Sequence, residues 1–412
     1  MQKFEKHSPV VVTEVTTKHE LRQFMQYPNR LYADNPNYIP SFYGDDLSDW
    51  TPGKNPAFDY CEARCWLARR DGEIVGRIGA ILSHKANDKF GTHRMRFSQV
   101  DFVDDSEVSA ALFGTVERWA REKGCDQVHG PLGFTDMDRE GMLVEGFDRR
   151  SLFFTNYNAP YYLEHLTRLG YRKDVDWIEY RITVPEPGGA EAERLHKLSE
   201  FILKRKHLHV ATVHHKSEYG PFVRQVFELV NAAYAPLYGV VELSDEQIER
   251  YANKFIPLVD PDFVCFVVDE QDQLVAFGVT ALDPSVALKH SDGRLFPFGW
   301  AGVLNDLHHS DTLIMLLTAV RPDLQAEGIN AVMMDHVCQS CNRHGVQFAE
   351  TGPMLELNDH ILAQWKRLEK EQHKRRRCFI KDLDHGINAA NAAAAQAEAP
   401  STEQTPAAES AE

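Results

Sequence analysis

The chain has 412 residues, 43% hydrophobic and 26% charged, a globular balance in a length that suits two domains rather than one small core. Its formal net charge of −16 repels a phosphate backbone and excludes nucleic acid as a general partner, while a local basic patch would still admit an anion. No stretch reaches the ~18 apolar residues of a membrane span, and the opening residues MQKFEKHSPVVV lack the apolar run of a secretory signal, so a cytoplasmic location is expected. Seven cysteines, an odd number scattered along the chain, point to free thiols. Cys61 with Cys65 and Cys338 with Cys341 have the numbers for a zinc site, but they lie in different halves, and packed thiols without a metal are expected.

In chain order, residues 10–15 form a β-branched strand and 18–26 a helix. Residues 28–56 read as a Pro/Asn-rich loop whose aromatics, Tyr32, Tyr38, Phe42, Tyr43 and Trp50, cover apolar surface. Strands at 65–69 and 73–83 flank the Asp71-Gly72 turn, and 96–102 continues the sheet. Asp104 and Asp105 supply caps for a helix running to Lys123, with Val108, Leu112, Val116 and Trp119 on one face. A short strand at 127–130, a helix at 161–168 capped by Asn158, and a strand at 175–184 close the first half. Residues 185–190, PEPGGA, are a linker. The second half repeats the order: helices at 190–204, 222–233 and 244–256, strands at 209–213, 264–269, 274–282 and 313–320, a helix at 329–343, a strand at 346–350, a helix at 360–371 and a strand at 377–383. The repeated order implies two copies of one unit: a first domain over 1–184, a linker and helix over 185–206, and a second domain over 207–384. Residues 385–412, rich in Ala, Glu, Pro, Ser and Thr, are expected to be disordered.

Residues 320–331 read VRPDLQAEGINA. This resembles the Gln/Arg-x-x-Gly-x-Gly/Ala turn of the GNAT superfamily of N-acetyltransferases, with Gln325 and Gly328 at its first two marked positions and Asn330 where a small residue is usual. In that family the turn aims backbone N–H groups at the coenzyme A pyrophosphate, chemistry suited to amides at a helix start. The resemblance implies an α/β fold of tandem GNAT-like domains with mixed central sheets, and acyl-CoA contacts at Val320, Gln325, Gly328, Asn330 and Ala331. The segments ARRDGEIVGRI (68–78), HGPLGF (129–134), LVEGF (143–147) and NYNAPYY (156–162) resemble a bacterial group of two-domain GNAT-like proteins that includes bacterial ceramide synthases. That resemblance implies transfer of a fatty acyl group from acyl-CoA, a co-substrate rather than a tightly bound cofactor, to the amine of a sphingoid long-chain base. It is compatible with peripheral contact at the inner face of the inner membrane. In the first half only Val103-Asp104 follows the equivalent strand, so one coenzyme site, in the second half, is expected.

Amide synthesis from a thioester needs a base for the amine, donors for the oxyanion and a proton for the thiolate. The leading region is residues 130–146, where Asp136, Asp138, Arg139, Glu140 and Glu145 lie among apolar residues. His129 and His84, each at a strand end, are further bases, and Tyr157 or Tyr161 further acids, with His360 an alternative in the second half. Glu350 faces the same cleft. Tyr234, Tyr238, Phe296, Phe298 and Trp300 line a channel or a core. The run Lys374 to Arg377 reads as a solvated edge or an anion contact. Two other readings stay open: an aminoacyl or peptidoglycan-type transferase, and a non-catalytic protein that keeps the fold.

Overall fold

A computed structural model describes residues 8–383. The tail expected to be disordered, 385–412, lies outside the described residues. Strands are β1 (Val11–Glu14), β2 (Cys61–Arg70), β3 (Glu73–Ser83), β4 (Arg94–Phe102), β5 (Gln127–Gly130), β6 (Met142–Glu145) and β7 (Arg172–Thr183). After the linker come β8 (His209–Val210), β9 (Val264–Val268), β10 (Leu274–Leu282), β11 (Thr312–Val320), β12 (Phe348–Glu350), β13 (Met354–Leu355) and β14 (Lys370–Asp382). Helices are α1 (Lys18–Leu31), α2 (Tyr43–Asp49), α3 (His84–Phe90), α4 (Ser106–Glu122), α5 (Tyr161–Arg168) and α6 (Ala190–Lys206). They continue with α7 (Gly220–Tyr234), α8 (Asp245–Phe255), α9 (Ser285–His290), α10 (Gly299–His309), α11 (Asn330–His344) and α12 (Asp359–Ala363).

All strands join one mixed sheet, in the order β1-β2-β3-β4-β5-β14-β7-β12-β11-β10-β9-β8, with β6 paired to β14 and β13 to β7. The pairs β4–β5 and β11–β12 are parallel; the others are antiparallel. Each half therefore repeats a meander, a helix and a parallel strand. The last strand of each half is inserted across the centre: β14 separates β5 from β7, and β7 separates β14 from β12.

Helices α4 and α11 pack on one face. Val108, Leu112, Val116 and Trp119 of α4 meet Met95, Phe97, Val128 and Phe379, and Cys341 of α11 shares a cluster with Ile182 and Leu313. On the other face, residues of the centre carry charge. Lys374 and Arg376 are buried to 1% and 0% exposure opposite Glu179. Arg376 Nε donates to Glu179, and Lys374 Nζ lies 3.2 Å from Glu179 and 3.1 Å from Glu350. Burial alone would push the Glu179 carboxyl up, but Arg376 and Lys374 beside it hold it below its usual range. The solvated edge expected at Lys374 to Arg377 is thus corrected: the run is the middle of the central strand, and its charges are neutralised by β7 and β12.

Other expectations change as well. Helix α1 runs through Pro28 to Leu31, and α2 interrupts what reads as loop. Asn158 does not cap α5; its Oδ1 accepts from the Leu143 amide at 3.0 Å. Helix α12 stops at Ala363, and β14 begins at Lys370 instead of 377. Phe296 and Phe298 are 82% and 81% exposed, so they line no channel.

Replacing Glu179 by Gln leaves two buried cations short of a carboxylate. We expect a loss of about 3–5 kcal/mol in urea unfolding. Glu350→Gln should cost less, because Lys374 keeps Glu179. Equal, small effects of both changes would show that the network is not structural.

Candidate active site

Past Ile314 and Glu350 the parallel pair β11–β12 ends, and the next paired residues on that side, Met354 and Leu355, join β7 instead. A gap opens between β11 and its former neighbour. At the same level the β10–β11 register slips between Val279 and Thr280, leaving Leu316 without a ladder partner. Gly352 stands at the mouth of the gap; a Cβ there would meet the Met315 carbonyl at 3.3 Å and the Phe154 ring at 3.6 Å.

On the α11 face an apolar groove of about 90 Å³ follows this gap, lined by Met315, Leu317, Met333, Met334, Val337 and Trp365 among others. Its other end reaches Asn330, at the start of α11. The turn before α11 has left-handed backbone at Ala326 (φ 63°) and Gly328 (φ 84°). Ile329, the N-cap, makes no side-chain cap bond. The Ala331 and Val332 amides bond back to Gly328 and Ile329 at 2.9 Å, whereas those of Gly328, Ile329 and Asn330 have no partner among the described residues. Unsatisfied amides at a helix start favour an anion. Glu327 is neutralised by Lys206 at 2.7 Å, from the basic last turn of α6. Gln325 supports the turn through its Nε2, which donates to the Val320 carbonyl at 3.3 Å. Of the five residues assigned to coenzyme contact, Gly328 and Asn330 thus present amides, Gln325 and Val320 brace the turn, and Ala331 is buried with its amide used.

The opposite face of the gap is covered by the first half. Ile314 and Leu316 pack with Phe42, Leu152, Phe153 and Phe154. The segment 131–141 lies beside them, and Met137, Asp138 and Phe154 line one cavity with Lys254 and Phe255 of α8. Asp138 Oδ2 accepts from the Phe134 and Thr135 amides at 2.8 and 3.2 Å and so holds this segment in its turn. Burial lifts the Asp136 and Asp138 carboxyls to about 6, with Asp138 reinforcing Asp136 and Asp49 reinforcing Asp138. Glu140 is pushed well above its usual range by burial and by Asp136, and has no hydrogen-bond partner among the described residues. Tyr234, whose hydroxyl donates to the Thr318 carbonyl at 2.8 Å, feels the charge of Asp136. The acidic segment therefore reaches the second half at the level of the gap.

Other candidates lie elsewhere. Tyr157 is buried among Tyr32, Tyr38 and Leu143; its hydroxyl donates to the Phe147 carbonyl and accepts from Asn35. His84 is on the surface, 3.3 Å from Glu62. His129 is buried in a separate cavity with Tyr238. Tyr161 donates to the Phe102 carbonyl at 2.5 Å, His360 is exposed, and Glu350 belongs to the central ion network. The seven cysteines are all buried and free. Leu316 and Gly352 were missed by sequence reasoning; a β-bulge and a strand divergence leave no residue signature.

In the first half the β4–β5 gap is closed by its own chain, since the Leu132 amide donates to the Phe97 carbonyl at 3.0 Å. Asp105 caps α4 there and pairs with Arg70 at 2.5 Å, so that helix start is occupied by carboxylate.

No family model matches the chain. The chain is similar to a solved structure, a tandem GNAT protein from the clavulanic acid biosynthesis pathway. It is 13% identical, with a TM-score of 0.52, over 91% of this chain and 99% of that one. The fold is a tandem GNAT fold. Two curated relatives add sequence likeness. Protein YghO of Escherichia coli (strain K12) is 27% identical over 379 residues, 90% of this chain and 95% of its own length. The bacterial ceramide synthase of Caulobacter vibrioides (strain NA1000 / CB15N) is 28% identical over 300 residues, 71% of this chain and 75% of its own. Among the described residues no helix is long and apolar enough to cross a membrane.

Two stability measurements check the site's construction. Gly328→Ala forces an L-residue to φ 84° and brings a Cβ to 3.0 Å from Ile202 Cδ1, so about 1–2 kcal/mol should be lost; Ile202→Val, removing that Cδ1, should recover only the steric part. Asp136 is protonated more readily folded than unfolded, so its contribution to stability falls as pH rises from about 4 to about 6. Asp136→Asn should therefore raise the midpoint of thermal unfolding at pH 7.5 and change it little at pH 4; a lower midpoint at pH 7.5 would contradict the burial argument.

Proposed function

We propose that the chain is an acyl-CoA-dependent N-acyltransferase that joins a fatty acyl group to the amine of a sphingoid long-chain base. The observation that carries this reading is the apolar groove. It reaches Asn330 beside the unpaired amides of the Gly328 turn and runs along β11 past Met315, Leu317 and Thr318, whose carbonyl accepts from Tyr234, the side chain that feels the Asp136 charge. The likeness to a bacterial ceramide synthase supports the choice of amine.

In this reading the amides of Gly328, Ile329 and Asn330 hold the pyrophosphate of the coenzyme. The methionine-rich groove takes the pantetheine arm and acyl chain, Met side chains adapting to irregular apolar ligands. The amine approaches past Phe153 and Phe154. Glu140, with Asp136 beside it, accepts a proton from the amine as its nitrogen attacks the thioester carbon. The amide of Leu316, freed by the bulge, donates to the oxyanion. The C–N bond forms, the C–S bond breaks, and the thiolate leaves with a proton returned from the carboxyl.

The test incubates the full chain with a long-chain acyl-CoA and a sphingoid base and follows the N-acyl product by mass spectrometry, with acetyl-CoA and an aminoacyl donor as controls. Product should form with the long-chain donor, and Glu140→Gln should lower kcat about 100-fold or more with the fold intact. The rate should rise with pH well above the ordinary carboxylate range, because burial holds the proton on Glu140 to higher pH. No product together with no calorimetric binding of any CoA ester would refute the reading.

A further inference from the structure

We propose that a second cavity, between α3, β4, β5 and the segment 235–242 of the second half, is a binding site for a phosphate-sized oxyanion. The cavity is about 100 Å³ and is walled by Arg94, Arg96, His129, Asn87, Thr92 and Ser83. It is independent of the acyl-transfer reading.

Two of its side chains are more than nine-tenths buried and keep a nitrogen without a protein partner. Arg96 is 3% exposed; its Nη1 donates to the Gly133 carbonyl at 2.8 Å and its Nη2 to the Gly239 carbonyl at 3.0 Å, and its Nε has no partner among the described residues. A guanidinium bonded only to carbonyls has no hydrogen-bonded counter-ion, although the nearby Asp136 and Glu140 carboxyls feel its charge, and a buried cation without a bonded anion is costly. His129 is 6% exposed. The Tyr238 hydroxyl has one proton and places it on Asp174 at 2.5 Å, so the His129 Nδ1–H donates to the Tyr238 oxygen at 2.9 Å. That relay fixes the tautomer and leaves Nε2 as a lone pair toward the cavity. Burial and then the charges of Arg96 and Arg94 hold His129 neutral.

Cations outnumber carboxylates around the cavity: Asp174 lies 3.8 Å from Arg94 and 4.0 Å from His129 Nδ1, on the Tyr238 side, and leaves Arg96 without a bonded carboxylate. Lys85 and Lys89 of α3 donate to the carbonyls of Glu242, Ala235 and Val240, at 2.6 to 2.9 Å, rather than to carboxylates. A hydrogen phosphate matches this wall: its anionic oxygens accept from Arg96 and Arg94, and its P–OH donates to His129 Nε2. Such a ligand would pin segment 235–242 of the second half to the first.

Isothermal calorimetry of the full chain with inorganic phosphate, and in a separate arm with glycerol 3-phosphate, tests the site at matched ionic strength. We expect one-to-one binding in at least the inorganic arm, a midpoint of thermal unfolding that climbs with phosphate concentration, and a His129 pKa that rises on binding by NMR. Arg96→Met should weaken binding at least tenfold. Because that change also cuts the three bonds of Arg96 to the Gly133, Phe134 and Gly239 carbonyls, Ala86→Leu, which fills the cavity from α3 and removes no polar group, should weaken it as much. Binding in both arms identifies a phosphomonoester site, and binding of inorganic phosphate alone a closed ion site. No binding in either arm, or binding that survives Ala86→Leu and leaves His129 unmoved, as a phosphate on the Gly328 turn would, overturns the proposal.

Discussion

The interaction on which the rest of the structure depends is the antiparallel pairing of β7 with β14, with Glu179 set between Lys374 and Arg376. Each of these strands completes the sheet of the half it does not follow in the chain. Neither half closes its own sheet: without β14, β5 would be an unpaired edge, and without β7 so would β12. The charges fix the register. A slip of one residue would turn Lys374 and Arg376 to the other face, away from Glu179 and Glu350, and would bring Arg375 and Arg377 off Asp176, leaving Glu179 without its two cations.

That exchange explains how two similar units come to share one site. In both, a parallel pair of strands diverges, because a parallel strand must be reached by a crossover helix and is paired over only three residues here. In the first half the divergence is closed by Leu132 and by the carboxylate cap of α4. In the second it stays open, and the segment that closed the first gap continues over the outer face of the second, carrying Asp136, Asp138 and Glu140.

Much of this was legible in the sequence. The order of most elements could be read from periodicity and glycine placement and the tandem fold from resemblance, and the turn at Gln325 to Asn330 and the acidic segment 130–146 stood out there as candidates. The failures have physical causes. Lys374 to Arg377 read as solvated because a charge run is solvated unless another strand brings partners, and Glu179 lies nearly two hundred residues away. Helix α1 ran past Pro28 because its buried face, Phe24, Met25 and Tyr27, outweighs one lost hydrogen bond. Helices α9 and α10 went unread because glycines and prolines break their pattern. Tyr157 and His84 looked chemical by residue type alone; in three dimensions the Tyr157 hydroxyl is buried and twice bonded, and His84 lies on the surface against Glu62.

Arg96 ties the second cavity to the acidic segment. Its charge is felt on one side by Asp136 and Glu140, whose carboxyls it lowers against the effect of burial, and on the other by His129. Its carbonyl bonds to Gly133 and Gly239 anchor the acidic segment and the segment from the second half at the same guanidinium. An oxyanion on Arg96 would take up part of its field, and the carboxyls beyond it would then hold their protons to higher pH. Occupancy of the cavity and protonation of the acidic segment are thus linked by a single buried charge, and linkage of this kind acts equally in both directions.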